Sequence, residues 1–152
     1  MNIKARYAGR KAQRNGKREE DKFDRLCKLW TNQGQAYFID NHARRNKKGE
    51  YISKGKFDRC GVICGLSVGI EIKSVTGKNF APSALPQHEL VSLVSLAKCK
   101  GQAFILIEEH KDTESLWLCR ITPELNKMPS REQWIKTDWN TLLNDLKREI
   151  GI

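Results

Sequence analysis

From Leu66 to Lys73 apolar and polar residues alternate without a break, with Leu66, Val68, Ile70 and Ile72 on one side and Ser67, Gly69, Glu71 and Lys73 on the other. A period of two marks a β-strand with one face in a core. The same period sets Glu71 and Lys73 together on the opposite face, about 7 Å apart along the strand. A chain organised around this segment must contain a sheet, and that sheet presents an acid and a base side by side.

The flanking patterns predict the rest of the sheet and its helices. Residues 35–42, carrying Tyr37, Phe38 and Ile39, read as a strand, and residues 57–64 as a second, with Gly65 as the turn into the alternating segment. Residues 102–109 form a buried strand and 115–121 one more. Phe23, Leu26, Cys27 and Trp30 stand at i, i+3, i+4 and i+7, which predicts an amphipathic helix over 18–32. Leu90, Leu93, Val94 and Ala97 predict another over 85–99, with Pro86 in its first turn. Residues 122–124 start a short helical turn, and Asp138 caps a last helix bearing Trp139, Leu142, Leu143, Leu146 and Ile150. The expected fold is α/β, a mixed central sheet flanked by helices. A length of 152 residues suits one domain, 18–152, preceded by a flexible basic arm, 1–17, in which Gly9 and Gly16 stand among dense bases.

The net charge of +10 is concentrated in two places. Residues 1–18 hold seven bases, Arg10, Lys11, Arg14, Lys17 and Arg18 among them, and no acid. Residues 42–59 hold seven bases, including Arg44, Arg45, Lys47 and Lys48, against two acids. The remainder carries a slight negative charge. Two basic segments on a near-neutral body suit a polyanion, because each Lys or Arg beside a phosphate releases condensed counterions; a solubilising tail and a solvated loop are the plainer alternative. No apolar run approaches the roughly 20 residues of a membrane span, and neither basic segment interleaves large apolar residues at helical spacing, so no membrane partner is expected. The N-terminus lacks an apolar secretory core. Cys27, Cys60, Cys64, Cys99 and Cys119 are an odd number for a disulfide framework. The expected compartment is the reducing cytoplasm. No phosphate-binding glycine loop ending in Gly-Lys-Ser/Thr occurs, so no nucleotide cofactor is expected.

Asp58, one strand before Glu71, completes a set with chemical meaning. A hard cation such as Mg2+ takes one or two carboxylates plus phosphate and water oxygens, and Asp58 and Glu71 supply that pair if their strands form a hairpin. Lys73, on the Glu71 face, can reach the same phosphate or water, while Ile70 and Ile72 bury the strand's other side and hold the set still. Other candidates are weaker. Cys60 and Cys64 have an unusual spacing for zinc and fit a strand and its turn; His42, His88 and His110 show no paired ligand spacing, and His88 and His110 read as surface or capping residues. Trp117, Trp134 and Trp139 could stack on bases, with core or dimer packing the preferred reading.

Residues 15–121 resemble the RecU family of Holliday junction resolvases, within the PD-(D/E)XK nucleases. The resemblance is carried by Phe57-Asp58 with Gly61, the Ile70-Glu71-Ile72-Lys73 strand, Gln87-His88-Glu89 opening a helix, the strand Gly101-Gln102-Ala103-Phe104-Ile105-Leu106-Ile107, and Asn15-Gly16-Lys17-Arg18-Glu19-Glu20. It differs in a shorter, very basic connection over 43–56 where the family has a long stalk, and in Arg59 after the first motif residue. The resemblance implies a restriction-endonuclease-like core of order α-β-β-β-α-β. It also implies a Mg2+-dependent endonuclease, with Mn2+ as a substitute, that cuts branched DNA, four-way junctions foremost. Asp58, Glu71 and the carbonyl of Ile72 would hold the metal, Lys73 would orient water or phosphate, and Glu20, or Glu19 in its place, would add a helix carboxylate. Gln87 would touch the DNA backbone or the water, or else cap its helix. A homodimer is expected, with the C-terminal Trp and Leu residues at its interface or in the core. The alternatives are a nuclease of the same superfamily acting on duplex DNA in repair or restriction, and a non-catalytic DNA-binding protein of the same fold.

Overall fold

The computed structural model describes residues 3–41, 44–45, 48, 51–53, 57–111 and 113–152, with side chains from Lys17 onward except at 44–45 and 51–53. The order is α1 (Ile3–Asn32), β1 (Ala36–Asp40), β2 (Arg44–Arg45), β3 (Tyr51–Ser53), β4 (Arg59–Ile63), β5 (Leu66–Thr76), α2 (Gln87–Lys98), β6 (Gln102–His110), β7 (Glu114–Ile121), β8 (Ile135–Thr137) and α3 (Leu142–Ile150). Six strands form one sheet in the order β1-β4-β5-β6-β7-β8, and β2 pairs with β3 in a separate ribbon. Only β5 and β6 run parallel, joined across α2, and the other neighbours are antiparallel. This is the expected α/β architecture with a mixed sheet.

Each face of the sheet has its own core. Phe23, Cys27 and Trp30 of α1 pack with Phe38, Val68, Ile70, Phe104 and Leu106, and Leu142, Leu143 and Leu146 of α3 close that side. Phe23 meets Trp30 and Phe38 edge to face, with centroids 5.8 and 5.4 Å apart. On the other face Leu90, Leu93, Val94 and Ala97 of α2 pack with Ala103, Ile105, Ile107, Cys119 and Trp134. Burial pushes the Cys27 and Cys119 thiols up to about 12, and all five cysteines are free.

The β4–β5 hairpin turns on Cys64 (φ 47°) and Gly65 (φ 85°). Two successive residues of positive φ make the turn that matches the right-handed twist of the strands, which explains the glycine. Beyond the last ladder pair, Arg59 with Ile70, the register carries Asp58 beside Glu71. On β5, Gly69 leaves room for α2, since a Cβ there would lie 2.6 Å from Leu96 Cδ2.

Several boundaries depart from the expectations. Helix α1 begins at Ile3 rather than near residue 18, so the backbone of the segment expected as a flexible arm is helical. Ala5, Ala8, Ala12, Gln13 and the surrounding Lys and Arg are good helix formers, and two glycines at about 1 kcal/mol each do not outweigh them. The basic connection contains β2 and β3. Asp138 caps a turn, its Oδ1 accepting from the amides of Asn140 and Thr141, and α3 starts only at Leu142, leaving Trp139 outside it. Residues 122–124 belong to a turn without a helix, and β8 has too few residues for its alternation to show. The C-terminal Trp134, Leu142, Leu143 and Leu146 are buried within one chain, so they are not free for an interface. Exposed apolar side chains stand instead at Tyr37, Ile39 and Val62 on the outer surface of β1 and β4. Among the described residues no helix is long and apolar enough to cross a membrane.

Gly61 of β4 fixes the edge of the sheet. A Cβ there would strike the Tyr37 carbonyl oxygen and lie 2.8 Å from Phe38 Cα, both backbone atoms of β1 that no rotamer change can move. Gly61→Ala should therefore destabilise the fold by about 1–3 kcal/mol, a drop in melting temperature of about 3–10 °C at this chain length. A thermal melt equal to the wild type would show that β1 shifts without cost.

Candidate active site

Asp58 sits in the bend that precedes β4, held on both sides of its backbone and through its side chain. Its carbonyl accepts from the Asn41 amide at 3.1 Å and from Arg59 Nη1 at 2.9 Å. Its Oδ2 accepts from the Ile72 amide at 2.8 Å. Arg59, with only 2 % of its side chain exposed, leans to the α1 side, where its Nε donates to Asp24 Oδ1 at 2.9 Å. Burial works against the Arg59 charge, but Asp24, Asp40 and Glu20 outweigh it and raise its pKa. The residue that departs from the family pattern thus anchors the Asp58 backbone.

Glu71 and Lys73 project from β5 towards α2, as the alternation requires. Glu71 is buried, and Lys73 Nζ lies 2.7 Å from Glu71 Oε1 and 2.7 Å from Glu89 Oε2. Glu89 stands in the first turn of α2. Two carboxylates, Glu71 and Glu89, therefore share one ammonium group, and Asp58, next to them, adds its charge against Glu71. Burial and then the neighbouring Asp58 raise the Glu71 pKa from 4.5 to about 7, Lys73 opposing and Glu89 adding to the rise. Burial disfavours the Lys73 cation, yet Glu71 and Glu89 overcome this and raise its pKa. Lys73 is thus a firm cation, a hydrogen-bond donor rather than a base. Asp58, Glu71 and Glu89 against the single Lys73 leave an excess of negative charge, and carboxylate oxygens are the donors that a hard cation takes.

The other expected residues fall in three groups. Glu20 lies on α1, where its charge acts on Arg59, whereas the charges that act on buried Glu71 are Asp58, Lys73 and Glu89. Gln87 is the exposed first residue of α2, and the cap position belongs to Pro86. Of the basic residues, Lys17 and Arg18 are exposed at the surface of α1, Arg18 within 3.4 Å of Glu114, and Lys48 is exposed. The side chains of Arg10, Lys11, Arg14, Arg44, Arg45 and Lys47 lie outside the described residues. The indole N–H groups of Trp117, Trp134 and Trp139 donate to Glu109, the Pro129 carbonyl and Glu108, which identifies these rings as core and framework rather than stacking platforms. His110, expected at the surface, is largely covered between two carboxylates.

Sequence reasoning missed Glu89 as a member of the site. Its signal was present: in a helix whose buried stripe runs through Leu90, Leu93 and Val94, Glu89 is one position from the stripe and in the turn nearest the end of the sheet.

This arrangement, a mixed six-stranded sheet with an acid and an acid-x-lysine strand on its second hairpin, is that of the PD-(D/E)XK-like resolvase fold. Comparison with family models adds the particular assignment: residues 26–140 match RecU, recombination protein U. The match spans well over half of the chain, and the chain belongs to the RecU family of recombination proteins. No curated protein matches it.

The raised Glu71 pKa has a consequence for stability. A carboxyl that binds its proton more tightly folded than unfolded contributes stability that is full below pH 4.5 and is lost as pH rises through about 7. In metal-free protein, Glu71→Gln removes this dependence. Its melting temperature should gain on the wild type between pH 4.5 and 7, and a difference that stays constant with pH would show that Glu71 is not perturbed.

Proposed function

We propose that the protein is a Mg2+-dependent endonuclease that resolves four-way DNA junctions in recombination. The observation that carries this reading is Asp58 acting on Glu71 beside Lys73, which Glu71 and Glu89 share, in a chain of the RecU family. Mg2+, held by the carboxylates of Asp58 and Glu71 with the carbonyl of Ile72, would supply charge neutralisation at the scissile phosphate and acidify water. The chain's own contribution is to place and to hold. Lys73, fixed between two carboxylates, offers its ammonium protons to a phosphate oxygen or to the attacking water, and stabilises the negative charge that grows on the phosphoryl oxygens. The Ile72 amide keeps Asp58 turned towards β5, and the Arg59 contact to the Asp58 carbonyl keeps the bend in place. Water oxygen bonds to phosphorus as the bond from phosphorus to O3′ breaks, leaving a 5′-phosphate and a 3′-hydroxyl.

Two nicks on strands related by a two-fold axis are needed to release two duplexes, and one site of this kind cuts one strand. A homodimer meets that requirement with matched symmetry. The basic β2–β3 ribbon between Asn41 and Phe57 is the segment we assign to the branch point, and the base-rich half of α1 supplies further phosphate contacts.

With labelled four-way junction, linear duplex and single strand, in Mg2+ or in EDTA, Mg2+-dependent paired nicking of the junction is expected. Asp58→Ala, Glu71→Ala and Lys73→Ala should each lower cleavage at least 1,000-fold, about 4 kcal/mol of transition-state stabilisation, with junction affinity within a few-fold of the wild type. Full activity in any one of them would overturn the site, and preferential cutting of the duplex would favour a general nuclease.

Neutralising Arg44, Arg45, Lys47 and Lys48 together should reduce junction affinity more than duplex affinity and flatten its dependence on salt, because fewer counterions are released. Equal losses on both substrates would remove the branch-point role of the ribbon.

A further inference from the structure

On the face of the sheet opposite Glu71, three ionisable side chains meet. His110 Nε2 on β6 lies 2.9 Å from Glu108 Oε2 and 3.2 Å from Glu19 Oε1 of α1, and the three ligand atoms all fall within 4.8 Å of one another. Glu19 and Glu108 are 0 % and 1 % exposed, while His110 retains an edge open to solvent at 18 %. We propose that Glu19, Glu108 and His110 form a cation site, separate from the Asp58 and Glu71 site, that takes a divalent transition ion of the zinc type and ties α1 to β6.

Acidic groups in proximity do not by themselves make a site, and two unsatisfied atoms decide the matter here. Glu19 Oε2 and Ser74 Oγ are buried and have no hydrogen-bond partner. Ser74 is the ladder partner of Glu108 in the parallel β5–β6 pair, so its side chain is on the same face as Glu108 and next to it in the sheet. If the cluster is held by a proton alone, His110 donates to Oε1 of Glu19 and Oε2 of Glu108, and the two buried oxygens, Glu19 Oε2 and Ser74 Oγ, keep no protein partner. Buried polar atoms are almost always satisfied. A cation between the three side chains takes both oxygens of Glu19 into its reach and gives the Ser74 oxygen an ion or an ion-bound water to face.

The surroundings are ordered for this. Glu108 is gripped through its other oxygen, Oε1, by Lys22 at 2.7 Å and by the Trp139 indole at 3.1 Å, which leaves Oε2 for the cluster. Contacts of this second kind orient metal ligands in known sites. Lys22 also reaches Glu114 at 2.6 Å, and Arg18 lies 3.5 Å from Glu19 and 3.4 Å from Glu114. Against Glu19, Glu108 and Glu114 these two cations leave one negative charge uncompensated when the imidazole is neutral. Zinc bonds to nitrogen and oxygen of roughly 2.0–2.2 Å set tetrahedral donors about 3.4 Å apart, close to the spacing seen. One imidazole with carboxylates favours a borderline ion over Mg2+, whose ligands are oxygens.

The site has a place in the architecture. Glu19 extends the buried stripe of Phe23, Cys27 and Trp30 by one turn towards the N-terminus, so a charged residue stands where the packing pattern calls for an apolar one. A metal bridge there fixes the point from which the base-rich half of α1 continues, and so its direction relative to the sheet.

The test uses full-length protein stripped with chelator, without DNA. Zn2+ is titrated by calorimetry, and Co2+ is followed by its visible absorption, for the wild type, His110→Ala, Glu19→Gln and the double variant Asp58→Asn/Glu71→Gln. The double variant is expected to retain the Co2+ band and a rise in melting temperature with Zn2+. His110→Ala and Glu19→Gln should each lose the band and bind at least ten-fold more weakly. Circular dichroism confirms folding, and Glu19→Gln, which keeps shape and volume, serves if His110→Ala does not fold. No Zn2+ binding by the wild type up to millimolar concentration, a band kept in both cluster variants, or a band lost in the double variant would each overturn the proposal. Because no arm of the experiment depends on cleavage, failure of the nuclease reading would leave this result interpretable.

Discussion

The register of the β4–β5 hairpin is the constraint on which the rest of the structure rests. The Cys64-Gly65 turn admits one pairing of the two strands, and a slip of one residue would exchange every side chain between the faces of β5. Val68 and Ile70 would leave the α1 core, and Glu71 and Lys73 would enter it. In the observed register Asp58 comes beside Glu71 and its carboxylate receives the Ile72 amide. The hairpin is therefore both a packing device and the instrument that aligns the chemistry, because the same alternation serves both faces of one strand.

Around this centre the α2 face of the sheet solves an electrostatic problem in two different ways. Beside the hairpin Glu71 and Glu89 share Lys73, and burial, with the neighbouring Asp58 charge after it, drives Glu71 up to about 7. Groups shifted this far by burial and neighbours cluster at functional sites, though structural ion-pair networks shift them too. Further along β6, Glu109 is handled in the opposite manner. Burial would raise its pKa, but the Arg131 fork, the Phe80 amide and the Trp117 indole prevail and hold it below the usual carboxylate range. Arg131 in turn lies over the Trp117 and Trp134 rings, 4.6 and 5.3 Å from their centroids. This satisfied cluster ties the segment before α2 and the turn before β8 to the sheet, and it holds Trp117 and Trp134 against that face.

Much of the architecture was legible because it depends on local periodicity. The strict alternation around Ile70 and the i, i+3, i+4, i+7 pattern of Phe23 to Trp30 reveal β5 and the packed half of α1, since a period of two or 3.6 is imposed by the backbone itself. Asp58, Glu71 and Lys73 followed from the same reading, with hairpin pairing as the one added assumption. Weaker local signals misled: Gly9 and Gly16 suggested a break where the surrounding helix formers prevail, and Asp138 marked a capped turn rather than the start of α3.

What the sequence determined by itself is the set of faces: which residues of each strand and helix are apolar, which segment carries the bases, and that Glu71 and Lys73 share a side. Only the tertiary structure decided which faces meet. That Glu89 closes on Lys73 follows from the seating of α2 against Gly69. That Arg59 is buried against Asp24, and that Glu19 meets Glu108 and His110 across 89 and 91 residues of chain, follow from the docking of α1 on the sheet. Periodicity is a property of neighbours along the chain, whereas the energy of a buried charge is set by whatever packs over it.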